Sequence, residues 1–315
     1  MAEQPLLSTV ITSYTLERLN DIHELLDSIK SQTYPNIETI FVAERSMELH
    51  EKVKAYGEQK GIPNMKVVFN HGEPGLSAAR NLGIQEAKGQ IIAFVDDDVV
   101  LFPNWAEEMV RTYSDDSIIG ATGSASPLWE DESMNWLPRE LYWLISCSEW
   151  TDWDKITVAR SAWGGNMSFK KEAFSSAGLF LNTLGYHKVM AEDLEFSLRV
   201  KSKTGKQILY NPRARVWHKV HQYRLSWGFI TARSRHIGVS RRLLKKLYPK
   251  DSNLFALERG LSRRILKLLL SIPGEALKNP LIAWHKLSVT ILALTFVTLS
   301  YYFSRPSTQM FEMVS

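Results

Sequence analysis

Strand-like and helix-like patterns alternate along the first hundred residues. Residues 6–12 are rich in β-branched and apolar residues, and the following segment places Leu19, Ile22, Leu25, Leu26 and Ile29 at helical spacing. Further strands are predicted at 37–42, 65–69 and 91–95, and further helices at 48–60 and 77–87. This alternation predicts an α/β fold, a mostly parallel central sheet with helices on both faces.

The pattern changes after residue 105. A helix is predicted at 105–114 and a strand at 118–124, and six of the chain's ten tryptophans then lie within residues 129–163. Four of them recur every seven residues, but Pro138 interrupts the series and argues against a continuous helix. Two interpretations stay open for this segment: aromatic packing beneath a long insertion, or a contact surface for a lipid or sugar acceptor.

Residues 281–303 form a long apolar run, with His285 and Lys286 as its strongly polar members. A helix needs about 20 residues to span the hydrocarbon of a bilayer, so the run predicts a C-terminal transmembrane helix. A buried or interfacial hairpin element is the alternative. The tail at 304–315 carries only Arg305 and Glu312, whereas cations dominate the other side. The positive-inside rule therefore predicts a cytoplasmic catalytic domain on the cell membrane.

The net charge of +4 hides an uneven distribution. Residues 1–240 carry 26 basic and 30 acidic residues, whereas residues 241–278 carry 10 basic and 3 acidic residues. Leucines alternate with the cations of this basic segment at helical spacing, which is typical of interfacial helices above anionic lipid; a solvated basic helix packed on the catalytic domain is the alternative. Because residues 1–240 are acidic overall and carry no reader motif, nucleic acid is not an expected partner.

Polar residues follow three of the predicted strands. Glu44 follows the second strand, a glycine-containing loop at 72–81 follows the third, and Asp96, Asp97 and Asp98 follow the fourth. In open parallel sheets, ligands bind beyond the carboxyl ends of the strands. We therefore expect these groups to face one crevice.

The three adjacent carboxylates predict a cation site. Like charges at the exit of a buried strand are unfavourable unless a cation neutralises them, and Mg²⁺ or Mn²⁺ suits carboxylate and phosphate oxygens. Cys147 is the single cysteine of the chain, so a metal would be held by oxygen or imidazole. A solvated turn or a helix cap is the alternative.

The loop before residue 81 has the composition of an anion site. Gly75 permits a tight turn, Ser77 can cap the following helix, and Arg80 is a cation in its first turn, where it is misplaced unless it meets an anion. A nucleotide phosphate would supply that anion, and a protein carboxylate is the alternative partner.

Small residues and acids recur later in the chain. Gly164, Gly165 and Asn166 would let the backbone approach a ligand closely, and Glu192 and Asp193 begin a predicted helix. A carboxylate that faces the crevice from this helix could act as a general base.

Together these motifs resemble family 2 of the inverting glycosyltransferases, which have the GT-A fold. The matching segments are residues 10–14, 31–35, 75–81, 96–98, 164–166 and 192–193, and the resemblance covers about residues 6–225. It implies a nucleotide-sugar donor, with UDP as the expected nucleotide, and a divalent metal, Mn²⁺ or Mg²⁺. Family members usually carry two acids after the second strand, and this chain carries only Glu44 there.

The resemblance also implies roles for individual residues. Asp193 would be the catalytic base that deprotonates the acceptor hydroxyl. The nucleotide-sugar would be bound by Ser13, Glu44, Arg80, Asp96 and Asp97, the metal by Asp96, Asp98 and His218, and the acceptor or sugar by Trp163, Gly165, Asn166 and Glu192. For His218, an ordinary hydrogen-bonded histidine is the alternative.

The predicted organisation has three parts. Residues 1–225 form the GT-A catalytic domain, 226–278 the basic amphipathic interfacial helices, and 279–315 a transmembrane anchor with a short tail. The predicted function is metal-assisted single displacement onto a hydroxyl or phosphate, with a lipid-linked glycan or polyprenyl phosphate as the acceptor. The alternatives are a non-catalytic glycan-binding protein on the same fold and a nucleotidyltransferase.

Overall fold

The computed structural model describes residues 4–151, 153–184, 191–251 and 254–304. Its described residues divide into two compact units. The first unit contains residues 4–126, 153–184 and 192–218, and the second contains 127–151, residue 191 and 219–304. The predicted tail at 305–315, with Arg305 and Glu312, lies outside the described residues.

The first unit is built on one mixed sheet. Within the described residues its strands are β1 (Leu7–Ser13), β2 (Ile37–Glu44), β3 (Met65–Asn70), β4 (Ile91–Val95), β5 (Val99–Leu101), β6 (Ile118–Trp129), β7 (Thr157–Ala159), β8 (Asn166–Lys170) and β9 (Gln207–Val220), of which β6 and β9 continue into the second unit. The order is β3-β2-β1-β4-β8-β6-β9-β5, with β7 paired to β9. The four parallel strands β1 to β4 are those that the sequence predicts, whereas β8 pairs antiparallel with β4 and β6.

Helices cover both faces of this sheet. They are α1 (Leu19–Lys30), α2 (Met47–Lys60), α3 (Leu76–Glu86), α4 (Trp105–Arg111), α5 (Glu172–Ala177) and α6 (Glu192–Thr204). Side chains alternate along each strand, so Leu7 and Ile11 of β1 pack with α1, α2 and α4, and Val10 packs with α3, α5 and α6. The two-faced α/β fold is therefore confirmed.

One local prediction, the capping of α3, differs from the structure. Helix α3 begins at Leu76 with Gly75 as its N-cap, and the Ser77 hydroxyl lies inside the first turn and donates to the Leu184 carbonyl, so Ser77 is not the cap. Gly75 has φ +142°, a backbone conformation that residues other than glycine rarely adopt. The tight turn expected at this position therefore requires glycine.

Among its described residues, the second unit contains short 3₁₀ helices and three long α-helices. The tryptophan-rich segment forms 3₁₀ turns such as Arg139–Ile145, as the break at Pro138 indicates. The helices are α7 (Trp227–Leu247), α8 (Ala256–Ala276) and α9 (Pro280–Phe303). Residues Leu141, Leu144 and Ile145 share a buried apolar cluster with residues of all three helices, so aromatic and aliphatic packing explains at least part of the tryptophan-rich segment.

Helix α9 is the one helix, among the described residues, that is long and apolar enough to cross a membrane. It packs against α7 and α8, and 22% of its most apolar window is buried. Leu281, Trp284 and Ile291 are among the large apolar side chains that stay exposed on it. By length and composition alone, this is weak support for a membrane span.

Candidate active site

The acidic strand end after β4 contains three carboxylates in different surroundings. Asp98 is buried, and its Oδ2 accepts a hydrogen bond from Arg18 at 2.9 Å. Its Oδ1 lies 3.4 Å from Nε2 of His218, which β9 places next to β5 through the Val99–His218 register pair. Asp96 is more exposed and lies 3.5 Å from an Arg80 nitrogen. The two-residue spacing therefore places Asp96 and Asp98 against different cationic partners.

Asp96, Asp98 and His218 form a cluster of metal-ligand type. Each offers one ligand atom, and these atoms all lie within 4.8 Å of one another. Two carboxylate oxygens and an imidazole nitrogen are ligands that Mn²⁺ accepts, and the phosphate oxygens of a substrate could complete its coordination. The residues therefore fit a divalent cation, and they are the three residues for which the sequence predicts this role.

Asp97, between the two candidate ligands, differs from them in its electrostatics. Burial first, and then the charge of the neighbouring Asp98, raise the pKa of Asp97 to about 7, although the Ser13 hydroxyl and Arg18 oppose the rise. Ser13 ends β1 and is itself buried. The structure thus brings together two of the predicted nucleotide-binding residues.

Glu44 and the glycine loop meet at the end of β2. Glu44 is buried, and its Oε2 accepts a hydrogen bond from the Gly75 amide at 2.7 Å. This contact fixes the start of α3 against the second strand. As expected, the residue at the end of β2 lies beside the glycine loop that follows β3. In this structure, Glu44 accepts its hydrogen bond from the protein backbone.

Arg80 forms an ion pair with a protein carboxylate. The sequence leaves two partners open for it, a nucleotide phosphate and a carboxylate, and the structure contains the second. Its side chain is 3% exposed, and Nη1 lies 3.0 Å from Oε1 of Glu192. Nη2 donates to the carbonyl of Gly164 at 3.1 Å. A nucleotide role for Arg80 stays a prediction.

The two acids at the start of α6 are not equivalent. Glu192 is buried; burial raises its pKa, the Asp193 charge raises it further, and Arg80 lowers it. Asp193 is only partly buried, and its two oxygens accept hydrogen bonds from the amides of Gly164 at 2.9 Å and Leu194 at 2.7 Å. Asp193 is therefore the more accessible carboxylate of the pair, and its position at a helix N-terminus favours negative charge.

Asn166 and Trp163 occupy opposite ends of the glycine segment. The Asn166 side chain is buried; it donates to the carbonyls of Ser124 and Ala214 and accepts from the Trp105 indole. Trp163 is partly buried, and its ring stacks on that of Trp153 with centroids 5.9 Å apart. Gly165 is adjacent to Asp96, since a Cβ on it would lie 2.8 Å from the Asp96 Oδ2.

Arg18 belongs to this site, and the sequence reasoning did not single it out. It is the N-cap residue of α1 and contacts both Asp98 and Asp21. A cation ahead of a helix N-terminus is electrostatically unfavourable, which is the same signal that draws attention to Arg80. This signal predicts an anionic partner for Arg18, and the structure shows that the partner is Asp98.

Known proteins with similar sequences and folds identify the family of this chain. Residues 8–176 match the sequence profile of Glycosyl transferase family 2. The chain is 30% identical over 252 residues to the glucosyl-dolichyl phosphate glucuronosyltransferase of Haloferax volcanii, a match that covers 78% of this chain and 80% of that protein. It is also 30% identical over 111 residues to the glycosyltransferase AglE of the same organism, but that match covers 35% of this chain and 36% of AglE.

Two solved structures resemble the fold. The mannosyltransferase PcManGT from Pyrobaculum calidifontis, solved in complex with GDP-Man and Mn²⁺, superposes with a TM-score of 0.63 at 16% identity, over 96% of this chain and 89% of that chain. GalNAc-T7, solved with UDP, GalNAc and Mn²⁺, superposes with a TM-score of 0.55 at 19% identity, over 83% of this chain and 55% of that chain. These likenesses establish the GT-A fold, and the profile match together with the Haloferax relative establishes that the chain belongs to glycosyltransferase family 2.

Proposed function

We propose that this glycosyltransferase is a membrane-tethered, metal-dependent inverting enzyme that moves a sugar from a nucleoside-diphosphate donor to a lipid-linked acceptor. The observation that carries the proposal is the arrangement around residues 164 and 165. Asp96 of the candidate metal cluster lies next to Gly165, and the Gly164 amide bonds to the accessible carboxylate of Asp193. The candidate metal cluster, which would bind a diphosphate, and the candidate base thus lie next to two adjacent glycines.

The departing diphosphate needs positive charge. Asp96, Asp98 and His218 would hold Mn²⁺ or Mg²⁺, which when bound supplies Lewis-acid stabilisation to a leaving nucleoside diphosphate. Arg18 pairs with Oδ2 of Asp98, whereas His218 lies closest to Oδ1. Asp98 therefore presents Oδ1, together with His218, toward the cluster.

Asp193 is the proposed general base. Its carboxylate takes the proton of an acceptor hydroxyl as the acceptor oxygen attacks the anomeric carbon, and the bond from that carbon to the diphosphate breaks with its electron pair. In-line attack inverts the anomeric configuration. Asp193 suits this role better than Glu192, because Glu192 is buried against Arg80.

The remaining site residues are assigned by position. Ser13, Glu44 and Asp97, at the ends of β1, β2 and β4, are proposed to line the nucleoside part of the donor. Gly165 and Trp163 are proposed to contact the sugar or the acceptor. Asn166 is proposed to act by holding the glycine segment on the sheet, because its amide bonds to Ser124 and Ala214.

A lipid-linked acceptor is supported by two independent features. The Haloferax relative is named for a glucosyl-dolichyl phosphate. Helix α9 exposes a row of apolar side chains, and α8 adds exposed Leu266 and Leu270 beside Arg263 and Lys267. Apolar and cationic side chains on neighbouring positions suit a membrane surface, and the basic segment favours a cytoplasmic catalytic domain.

A substrate panel tests the proposal. Detergent-solubilised protein would be incubated with UDP-glucuronic acid, UDP-glucose or GDP-mannose and with dolichyl phosphate or glucosyl-dolichyl phosphate, in the presence of Mn²⁺ or EDTA. We expect a nucleoside diphosphate and a glycosylated lipid from at least one pair, and none with EDTA. Release of pyrophosphate would instead indicate a nucleotidyltransferase, and absence of any turnover would contradict the proposed function.

Asp193→Asn should abolish transfer and leave donor binding intact. Removing a general base costs roughly 10²- to 10⁴-fold in rate, while the amide can still accept the Gly164 hydrogen bond. Turnover of the active pair and calorimetric binding of UDP or GDP with Mn²⁺ would be compared with those of the wild type. Activity within threefold of the wild type would remove Asp193 as the base.

A further inference from the structure

Arg80 joins three segments of the candidate site through one guanidinium group. Its Nη1 lies 3.0 Å from Glu192 at the start of α6, and its Nη2 donates to the Gly164 carbonyl at 3.1 Å. The same Nη2 lies 3.5 Å from Asp96 in the candidate metal cluster. One side chain of α3 thus contacts the acidic strand end, the glycine segment and the helix that carries Asp193.

Gly164 transmits this arrangement to Asp193. Its carbonyl accepts from Arg80, and its amide donates to Oδ2 of Asp193 at 2.9 Å. Glu192, the other Arg80 partner, directly precedes Asp193 in the chain. Arg80 is therefore connected to Asp193 by two routes, through the backbone of Gly164 and through the adjacent residue Glu192.

The two glycines let this close approach occur. A Cβ on Gly164 would lie 2.9 Å from the Arg80 Nη2, and a Cβ on Gly165 would lie 2.8 Å from the Asp96 Oδ2. Both distances are shorter than ordinary van der Waals contact. Alanine at 164 would displace the end of the Arg80 side chain without removing its charge.

The charges also favour an internal role for Arg80. Asp96, Glu192 and Asp193 bring three carboxyl groups to the same place, and Arg80 is the cation that contacts two of them. If Arg80 turned to a nucleotide phosphate, it would leave Glu192 buried without its partner, which is unfavourable.

We propose that Arg80 is the positioning residue for the base Asp193: it orients α6 and the 164–165 dipeptide against the metal cluster and is not a nucleotide ligand. This inference rests on the proposed role of Asp193. It differs from the role that the family resemblance implies, in which Arg80 approaches the nucleotide. The two roles predict opposite effects on kcat and on donor affinity.

The test compares R80Q, R80K and G164A with the wild type, using the active donor and acceptor pair from the substrate panel. Misplacing a catalytic group by about 1 Å can cost roughly 10²-fold. We expect kcat to fall between about tenfold and a hundredfold in R80Q and G164A, and the affinity for UDP or GDP with Mn²⁺, measured by calorimetry, to stay within about threefold. R80K should recover part of the loss, because lysine keeps the charge but not the forked geometry.

A double variant tests whether Arg80 acts through Asp193. If it does, R80Q/D193N will be no less active than D193N alone, because residues that act as one unit are not additive. Multiplicative losses would show that Arg80 acts independently and would overturn the proposal.

R199Q is the matched structural control. Arg199 also lies on α6, pairs with Glu195 and donates to the carbonyls of Ala177 and Leu179. It contacts none of the proposed site residues in these bonds, so R199Q should lower the melting temperature while kcat stays within about twofold of the wild type. If R199Q lowers kcat as much as R80Q does, the loss in R80Q is one of fold stability and the positioning role fails.

Two outcomes separate this inference from the proposed function. A donor affinity at least tenfold weaker in R80Q, with kcat unchanged at saturation, would make Arg80 a nucleotide ligand and overturn the proposal. If no donor and acceptor pair is turned over, the proposed function fails, but calorimetry with UDP and GDP still tests the role of Arg80. An affinity in R80Q equal to that of the wild type supports a role of Arg80 within the protein, and a tenfold loss contradicts it. If R80Q does not fold, G164A carries the same comparison.

Discussion

At the residue scale, neighbouring acids in the sequence have separate environments in the structure. Asp96 faces Arg80, Asp98 is buried between Arg18 and His218, and burial raises the pKa of Asp97 to about 7. The sequence predicts a cation site from the crowding alone. It does not say which carboxylate pairs with which cation, because Arg18 and His218 lie 80 and 120 positions from Asp98 and meet it only through folding.

Asp98→Asn should weaken metal binding more than Asp97→Asn. Asp98 belongs to the three-residue cluster and Asp97 does not, so loss of its charge removes one of two anionic ligands. We expect Mn²⁺ affinity, measured by electron paramagnetic resonance without nucleotide, to fall at least about tenfold in D98N and to change less than about threefold in D97N. Equal losses in both variants would mean that total charge, and not ligation, holds the metal.

At the element scale, helix and strand patterns predict local structure well where they are long. The four parallel strands and α1 to α3 lie within one or two residues of their predicted positions, although the cap of α3 is Gly75 and not Ser77. The predicted strand at 118–124 continues to Trp129, and the predicted helix at 105–114 ends at Arg111. The periodicity of the sequence does not fix where these two elements end, because the ends also depend on contacts with other segments of the fold.

The antiparallel strand β8 depends on contacts with distant segments of the chain. It inserts between β4 and β6, and Asn166 at its start bonds to Ser124 and Ala214 and accepts from Trp105. The sequence presents residues 164–166 as small residues near a ligand. The Asn166 side chain also ties β8 to the backbone of β6 and β9, and these partners lie 42 and 48 positions away in the chain.

Gly123→Ala should destabilise the first unit through this same sheet. A Cβ at position 123 would lie 1.9 Å from the Ala214 carbonyl oxygen and 2.3 Å from the Asn166 Nδ2, so backbone would have to move. Overpacking of this kind costs roughly 1–3 kcal/mol, or more where backbone must shift, and we expect a lower melting temperature by differential scanning calorimetry.

Gly72→Ala is the control for that substitution. Its Cβ would meet only the end of the Asn70 side chain, at 3.3 Å, in an exposed loop. The free energy of unfolding should change by no more than about 0.5 kcal/mol. If the two variants melt at the same temperature, the close approach of β6 and β9 at Gly123 is not rigid.

At the scale of the whole molecule, charge and apolarity are divided along the chain. The acidic first 240 residues contain the sheet, the candidate site and most of α7, and the basic segment and apolar run form the end of α7, α8 and α9. Helix α9 has a face buried against α7 and α8 and an apolar face that stays exposed. This division supports tethering, whether α9 spans the bilayer or lies in its interface.

Replacing Trp284, Ile291 and Leu299 with serine should release the protein from membranes. All three are exposed on α9, and burial of a large apolar side chain contributes about 1.5–3 kcal/mol, so their loss should lower membrane partitioning at least about a hundredfold. The measurement is the soluble fraction after carbonate or high-salt extraction without detergent. Full release of the wild-type protein under those conditions would rule out a spanning α9, and retention of the triple variant would show that these side chains do not anchor it.

The sequence by itself determined the α/β pattern, the family, the acidic strand end and the apolar C-terminal run, because these depend on local periodicity and on residue order. Tertiary structure decided the pairings: His218 beside Asp98, Arg18 as its second partner, and Arg80 against Glu192 and Gly164. It also decided that Asp193 is accessible while Glu192 is buried. These pairings depend on side chains from distant segments that share one buried volume, where each charge must find a partner.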